Sequence, residues 1–198
     1  TTETFTATVG DGTATTTATL TVTLTGANDT PTLTTVAALT GGTEDTAYEI
    51  TSAALAAAAD EADAEGTALS FRVEAVSTGT LEKGGGSTWV AVTAGTTLLG
   101  ANETLRWTPA ANANGTSNAF TVKAWDGALA SATAVQVTVQ VAAVNDGPVV
   151  TACGALAYVE NGLGAVVDAT VVISDVDDLQ LTGAVVMIDS VVAGDVLG

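Results

Sequence analysis

The sequence predicts an all-β chain, a tandem run of Greek-key β-sandwich modules of immunoglobulin size, and three observations carry that expectation. Residues 19–25 (Thr-Leu-Thr-Val-Thr-Leu-Thr) and 135–141 (Val-Gln-Val-Thr-Val-Gln-Val) alternate polar and apolar side chains, as an antiparallel strand with one buried face does. Short runs rich in Val, Thr and Leu are broken by Gly, Asn and Asp clusters, which suit the turns of a sandwich. The chain also repeats itself: Phe5 to Gly12 returns as Phe120 to Gly127, a spacing of 115, and Asn28-Asp29-Thr30-Pro31 returns as Asn145-Asp146-Gly147-Pro148, a spacing of 117. A period near 116 residues is one such sandwich.

The phase of the repeat divides the chain. Residues 1–30 read as the closing strands of one module plus a linker, 31–147 as a complete module, and 148–198 as the opening strands of the next. In the complete module strand signals fall near 33–38, 47–52 and 67–76, then between 80 and 107, then near 119–125 and 132–142. The one helix-friendly stretch, Ala53 to Ala59, is short enough for a brief helical turn, and Gly84-Gly85-Gly86 reads as a flexible loop tip. Thr43-Glu44-Asp45 is answered by Val159-Glu160-Asn161, and Asp60 to Gly66 by Asp175-Val176-Asp177. The start, Thr1-Thr2-Glu3-Thr4, has neither an initiator Met nor a basic, apolar signal sequence, and reads as an internal piece of a longer chain.

Charge narrows the chemistry. Twenty-two Asp and Glu stand against four Lys and Arg, a net charge of −18. Such a chain repels nucleic acid and anionic membranes, and no apolar run is long enough to span a bilayer. Yet 47% of residues are hydrophobic, so the carboxylates belong to a folded chain rather than a disordered acidic tail. There is no His and only one Cys, Cys153. That removes structural zinc, histidine-assisted nucleophilic catalysis and any internal disulfide. Hard cations held through oxygen remain.

A seven-strand sandwich sorts the acidic residues by pole. The loop after the second strand carries Asp60, Asp63 and Glu65, and the loop before the last strand carries Asp126. Both lie at the end where the chain enters, beside Asn28 and Asp29. Glu44, Asn112 and Asn114 fall at the other end, facing the outgoing Asn145-Asp146, which meets Asp175 and Asp177 of the next module. Several carboxylates so gathered repel one another unless a divalent cation joins them, and calcium accepts 6–8 oxygens in flexible geometry. The plainer alternative is that each is an ordinary turn residue. No EF-hand is present, because position twelve counted from Asp175 is Val186.

Residues Leu105-Arg106-Trp107-Thr108-Pro109, Asn112-Ala113-Asn114-Gly115 and Phe120 to Gly127, in that order, resemble the signature of bacterial cadherin-like tandem repeats. These are the Ig-like modules of large surface adhesins and VCBS-type proteins. Asn28-Asp29-Thr30-Pro31 and Asn145-Asp146-Gly147-Pro148 resemble the family's Asn-Asp-Ala-Pro linker, and Tyr158 to Gly162 with Ser174-Asp175-Val176-Asp177 resembles the opening of a related repeat. The resemblance implies calcium bound between neighbouring repeats of the same chain. The first junction would use Asn28, Asp29, Asp63 and Asp126, with Asp60 or Glu65 assisting, and the second Glu44, Asn145, Asp146, Asp175 and Asp177. The expected Asp-x-Asp of the first junction reads Asp63-Ala64-Glu65, preceded by an extra Asp60-Glu61.

The expected function is therefore a non-enzymatic, calcium-stiffened stalk of a secreted or cell-surface adhesin, serving cell adhesion or biofilm. One rival is a carbohydrate-binding module that holds cell-surface glycans on Trp89, Trp107 and Trp125. Another is a self-associating subunit of an extracellular filament or surface layer. A glycosidase using Glu103 or Asp60 is disfavoured, since neither lies in an aromatic cleft signal.

Overall fold

The computed structural model describes residues 2–152, 154–157 and 162–187. In chain order the elements are β1 (Thr2–Gly10), β2 (Thr15–Thr23), β3 (Leu39–Thr43), β4 (Tyr48–Thr51), α1 (Ser52–Ala58), β5 (Ser70–Val76), β6 (Thr80–Gly85), β7 (Thr88–Ala91), β8 (Leu98–Leu99), β9 (Thr104–Thr108), β10 (Gly115–Trp125), β11 (Val135–Ala142), β12 (Val149–Thr151) and β13 (Val172–Ser174). Among the described residues the chain is all-β apart from one short helix.

The central sandwich packs a five-stranded sheet, order β3-β11-β10-β5-β8, against a four-stranded sheet, order β4-β9-β6-β7. Alternation chooses the inner faces. Phe71, Val73, Phe120, Val122, Ala124, Val137 and Val139 meet Ile50, Leu81, Leu105 and Trp107, all buried. Each Val, Leu, Ile and Phe among them contributes roughly 1.5–3 kcal/mol by leaving water. Trp107 is fully buried and its Nε1 donates to Thr78 O at 2.8 Å, so the polar end of the ring is satisfied.

The helix is a bracket on this core. Thr51 caps it by accepting Ala54 N–H at 3.1 Å, and Leu55 is its one fully buried side chain. Seven residues are too few to hold a helix in water unaided, so the Leu55 anchor is what keeps it.

Two local expectations are corrected. The first strand is β3, not residues 33–38. Segment 31–38 makes isolated bridges at Thr32–Ala62 and Val36–Ala59, and Asp60 takes up the N–H groups of Thr34 and Thr35, so no continuous ladder forms there. β3 instead pairs parallel with β11. Gly42 lets the two backbones approach, since a Cβ there would stand 2.9 Å from Val139 Cγ1 and 3.1 Å from Gln140 O. The second correction concerns Gly84 and Gly85, which lie in β6 opposite Trp89 and Thr88, leaving Gly86 for the turn.

Outside the sandwich, β1 and β2 pair as an antiparallel hairpin and β12 pairs with β13. The hairpin register gathers Phe5, Ala7, Val9, Ala18, Leu20 and Val22 on one face and threonines on the other. Cys153, Tyr158, Val159, Glu160 and Asn161 lie outside the described residues.

Candidate functional site

At the incoming pole the linker is tied to two loops. Asn28 Nδ2 donates to Asp126 Oδ2 at 2.8 Å and to Asp29 O at 3.2 Å, and Asp29 N–H donates to Glu65 Oε2 at 3.1 Å. Asp63 Oδ1 accepts the N–H groups of Glu65 (3.1 Å) and Thr67 (2.9 Å). Asp126 Oδ1 accepts those of Leu129 (2.7 Å) and Ala128 (2.6 Å). The Leu129 bond above all, with Asn28 and Ala128, holds the Asp126 carboxyl below its usual range. Two carboxylate oxygens are left over: Asp63 Oδ2 and Glu61 Oε2 are closed to solvent and have no hydrogen-bond partner. Burial, reinforced by the charge on Asp60, pushes the Glu61 carboxyl up.

The outgoing pole repeats the pattern. Asn145 Nδ2 donates to Asp146 O at 2.8 Å, as Asn28 does to Asp29. Asp146 N–H donates to Asp177 Oδ2 at 2.6 Å, as Asp29 does to Glu65. Asp175 Oδ1 accepts the N–H groups of Asp177 (2.9 Å) and Asp178 (2.8 Å). Glu44 is 1% exposed, with Oε1 accepting Val144 N–H and Oε2 accepting from Asn114 Nδ2 at 3.4 Å. Asp45 Oδ1 accepts Asn112 N–H at 3.1 Å. Asp146 Oδ2 is closed to solvent without a partner. Burial first, then the charges of Asp45, Asp177, Glu44 and Asp175, push the Asp146 carboxyl up. A cleft of about 380 Å³ opens here, lined by Asp146, Asp175 and Asn112 among others.

These bonds relate the sequence candidates to one another. Asn28, Asp29, Asp63 and Asp126 are linked at one pole, and Glu44, Asn145, Asp146, Asp175 and Asp177 gather at the other. Glu65 takes the place that Asp177 takes, so Asp63-Ala64-Glu65 is the counterpart of Asp175-Val176-Asp177. Asp60 stands apart: its Oδ1 accepts Thr34 and Thr35 N–H, each at 2.8 Å, and its Oδ2 accepts from Thr34 Oγ1. The Thr34 hydroxyl bond leads these in holding its carboxyl far below the usual range. Glu61 and Asp45 were not among the sequence candidates. Their only signal was position, each next to an acidic residue that was named.

A family model described as a cadherin-like domain matches residues 27–142, from the incoming linker to the end of β11. The chain belongs to the cadherin-like domain family. No curated protein matches it. Among solved structures, two forms of an endo-fucoidan hydrolase from glycoside hydrolase family 107 are similar at 23% and 22% identity. The matches cover 72% and 75% of this chain, with TM-scores of 0.32 and 0.31. This cadherin-like chain spans 19% and 21% of those structures' own lengths, about a fifth.

Cadherin-like domains generally bind calcium, and the residues present fit that ion. The donors are carboxylate, amide and backbone oxygens, the set a hard cation takes. Asp63 Oδ2, Glu61 Oε2 and Asp146 Oδ2 are closed to solvent and have no donor, so each is free to meet a cation. Among the described residues no three acidic, His or Cys side chains stand together closely enough to grip a metal as placed.

The three tryptophans do not share a platform. Trp107 is buried in the core. Trp89, on β7, and Trp125, on β10, lie on the outer faces of different sheets. Arg106 Cζ sits 4.4 Å from the centre of the Trp89 ring, and Arg72 Cζ 5.1 Å from that of Trp125. Each arginine also pairs with a glutamate, Glu82 and Glu74 respectively, at 2.6 Å.

Proposed function

We propose that the chain is a stretch of the repeat region of a VCBS-type adhesin, exposed outside the cell, whose modules are joined into a stiff stalk by calcium at each junction. The observation that carries this reading is the recurrence of one hydrogen-bond pattern at both poles. Linker Asn to the next carbonyl, linker Asp N–H to a loop carboxylate, and that loop residue's own N–H to a loop Asp carboxylate all occur twice, at 28–65 and at 145–177. A turn residue satisfied locally has no reason to reproduce a contact that crosses from linker to loop, nor to leave buried carboxylate oxygens open on each occasion. Asp63, Glu61, Glu65, Asp126 and Asn28 would hold the ion at the first junction. Asp146, Asp175, Asp177 and Glu44 would do so at the second, with Asp45 close enough to add its charge. The bound cation supplies charge neutralisation, and the chain's own residues supply the rest by fixing linker to loop. The role is structural rather than catalytic, and its partners are the neighbouring repeats.

Thermal melts in millimolar calcium, millimolar magnesium and chelator test the reading. Calcium raises the melting temperature by several degrees, magnesium by less, because its strict octahedron suits a mixed cluster poorly. Identical melts in calcium and chelator would contradict it.

A further inference from the structure

The stalk reading implies tension along the chain, and the structure assigns a two-point shear clamp to carry it, with Asp60 as its incoming fastener rather than a calcium ligand. Tension enters at Pro31 and leaves after Ala142, at opposite poles. Between the incoming linker and β3 the backbone is strapped sideways to segment 58–62. Thr32 N–H donates to Ala62 O (2.8 Å), Ala62 N–H to Thr32 O (3.1 Å) and Ala37 N–H to Ala58 O (2.7 Å). Asp60 closes the middle of that strap with bonds from both N–H groups and the hydroxyl of the Thr34–Thr35 pair. Hydrogen bonds to a charged acceptor are about twice as strong as neutral ones.

The second point is the parallel pairing of β3 with β11, at Val139–Leu39, Val141–Gly42 and Ala142–Thr43. It continues as Glu44 N–H to Ala142 O at 3.0 Å, and Val144 N–H closes onto the Glu44 carboxylate. Because these strands run the same way, pulling the start of β3 one way and the end of β11 the other slides them past each other. The ladder bonds lie across that motion and are loaded together instead of one after another. The clamp rests on the stalk reading for why tension matters; its incoming fastener, Asp60, does not rest on calcium.

Single-molecule force spectroscopy on the whole chain, tethered by its two ends, tests this. Segment 31–142 stretches to about 40 nm of contour, at roughly 3.6 Å per residue, and its unfolding releases that length less the folded end-to-end distance. At fixed force Asp60→Ala and Gly42→Ala each unfold on the order of tenfold faster than the parent, as expected when a charge-assisted bond or the strand register is lost from the barrier. The Asp60→Ala effect has the same size in calcium and in chelator. Pulled between the turn at Gly86 and the C-terminal end, which leaves the strap unloaded, Asp60→Ala and parent unfold alike. If Asp60→Ala fails to fold, Asp60→Asn is read in its place, with a smaller acceleration of the same pattern. Equal end-to-end rates for variant and parent would overturn the clamp. An Asp60 effect that vanishes in chelator would overturn it too, making Asp60 a calcium ligand and leaving the junction reading intact.

Discussion

Asp146 sets the residue-scale problem of the outgoing junction: a carboxyl with one oxygen closed to solvent, under the charges of Asp45, Asp177, Glu44 and Asp175. Its folded-state value lies above the ordinary one near 3.9, so in the interval between them the folded chain keeps a proton that the unfolded chain has released. The stability this group contributes is present below that ordinary value and is lost as pH rises through the folded value. In chelator, Asp146→Asn should therefore melt above the parent at pH 7 and level with it near pH 3, while in calcium at pH 7 it should melt below. Equal melts in chelator at pH 7 would show that the repulsion is absent. Asp60 has the opposite sign, its carboxyl being held down by Thr34 and Thr35, so its contribution is present above the ordinary value and is lost progressively as pH falls from there through the folded value. The repeated Asn-Asp linkers and loop carboxylates were legible because they recur at one period. The separate employment of Asp60 was not, because it depends on Thr34, 26 residues away, which carries no charge to suggest a partner.

At the scale of elements, turns are the most exacting positions. Gly79, between β5 and β6, has φ +67° and a Cβ there would lie 2.0 Å from Thr108 O, a backbone atom that cannot yield. Gly86 has φ +60° but open space around it. Urea unfolding should put Gly79→Ala several kcal/mol below the parent and Gly86→Ala only about 1 kcal/mol below, the strain of a left-handed residue alone. Matching losses at the two sites would show that the β5–β6 turn can shift away from β9. Trp107→Phe keeps most of the buried ring but removes the Nε1 bond to Thr78 O, and should cost about 1 kcal/mol in the same assay. Alternation announced β11, one face of which is buried, and β2, which pairs with β1 but is exposed along its whole length rather than half-buried. It misplaced the first strand, since residues 39–43 read Leu-Thr-Gly-Gly-Thr and owe their pairing to the room that glycine leaves beside β11.

For the whole molecule, a net charge of −18 is best borne when the carboxylates are spread through solvent or met by cations, and the outgoing junction instead sets Asp146 under the charges of Asp45, Asp177, Glu44 and Asp175. Extracellular calcium modules bind at about 10⁻⁴–10⁻³ M. On the proposed reading, millimolar calcium at a tenfold excess over that constant would add roughly 1.4 kcal/mol to the coupling between neighbouring modules. Pro31 and Pro148 already stiffen each linker by fixing φ, which leaves the ion little freedom to remove. Isothermal titration of calcium into the parent, Asp63→Asn and Asp146→Asn chains tests the central claim most directly. The parent should bind in the sub-millimolar to millimolar range, Asp63→Asn should lose the portion belonging to the first junction, and Asp146→Asn the portion belonging to the second. A parent that takes up no calcium, or variants that bind as the parent does, would contradict calcium at the junctions.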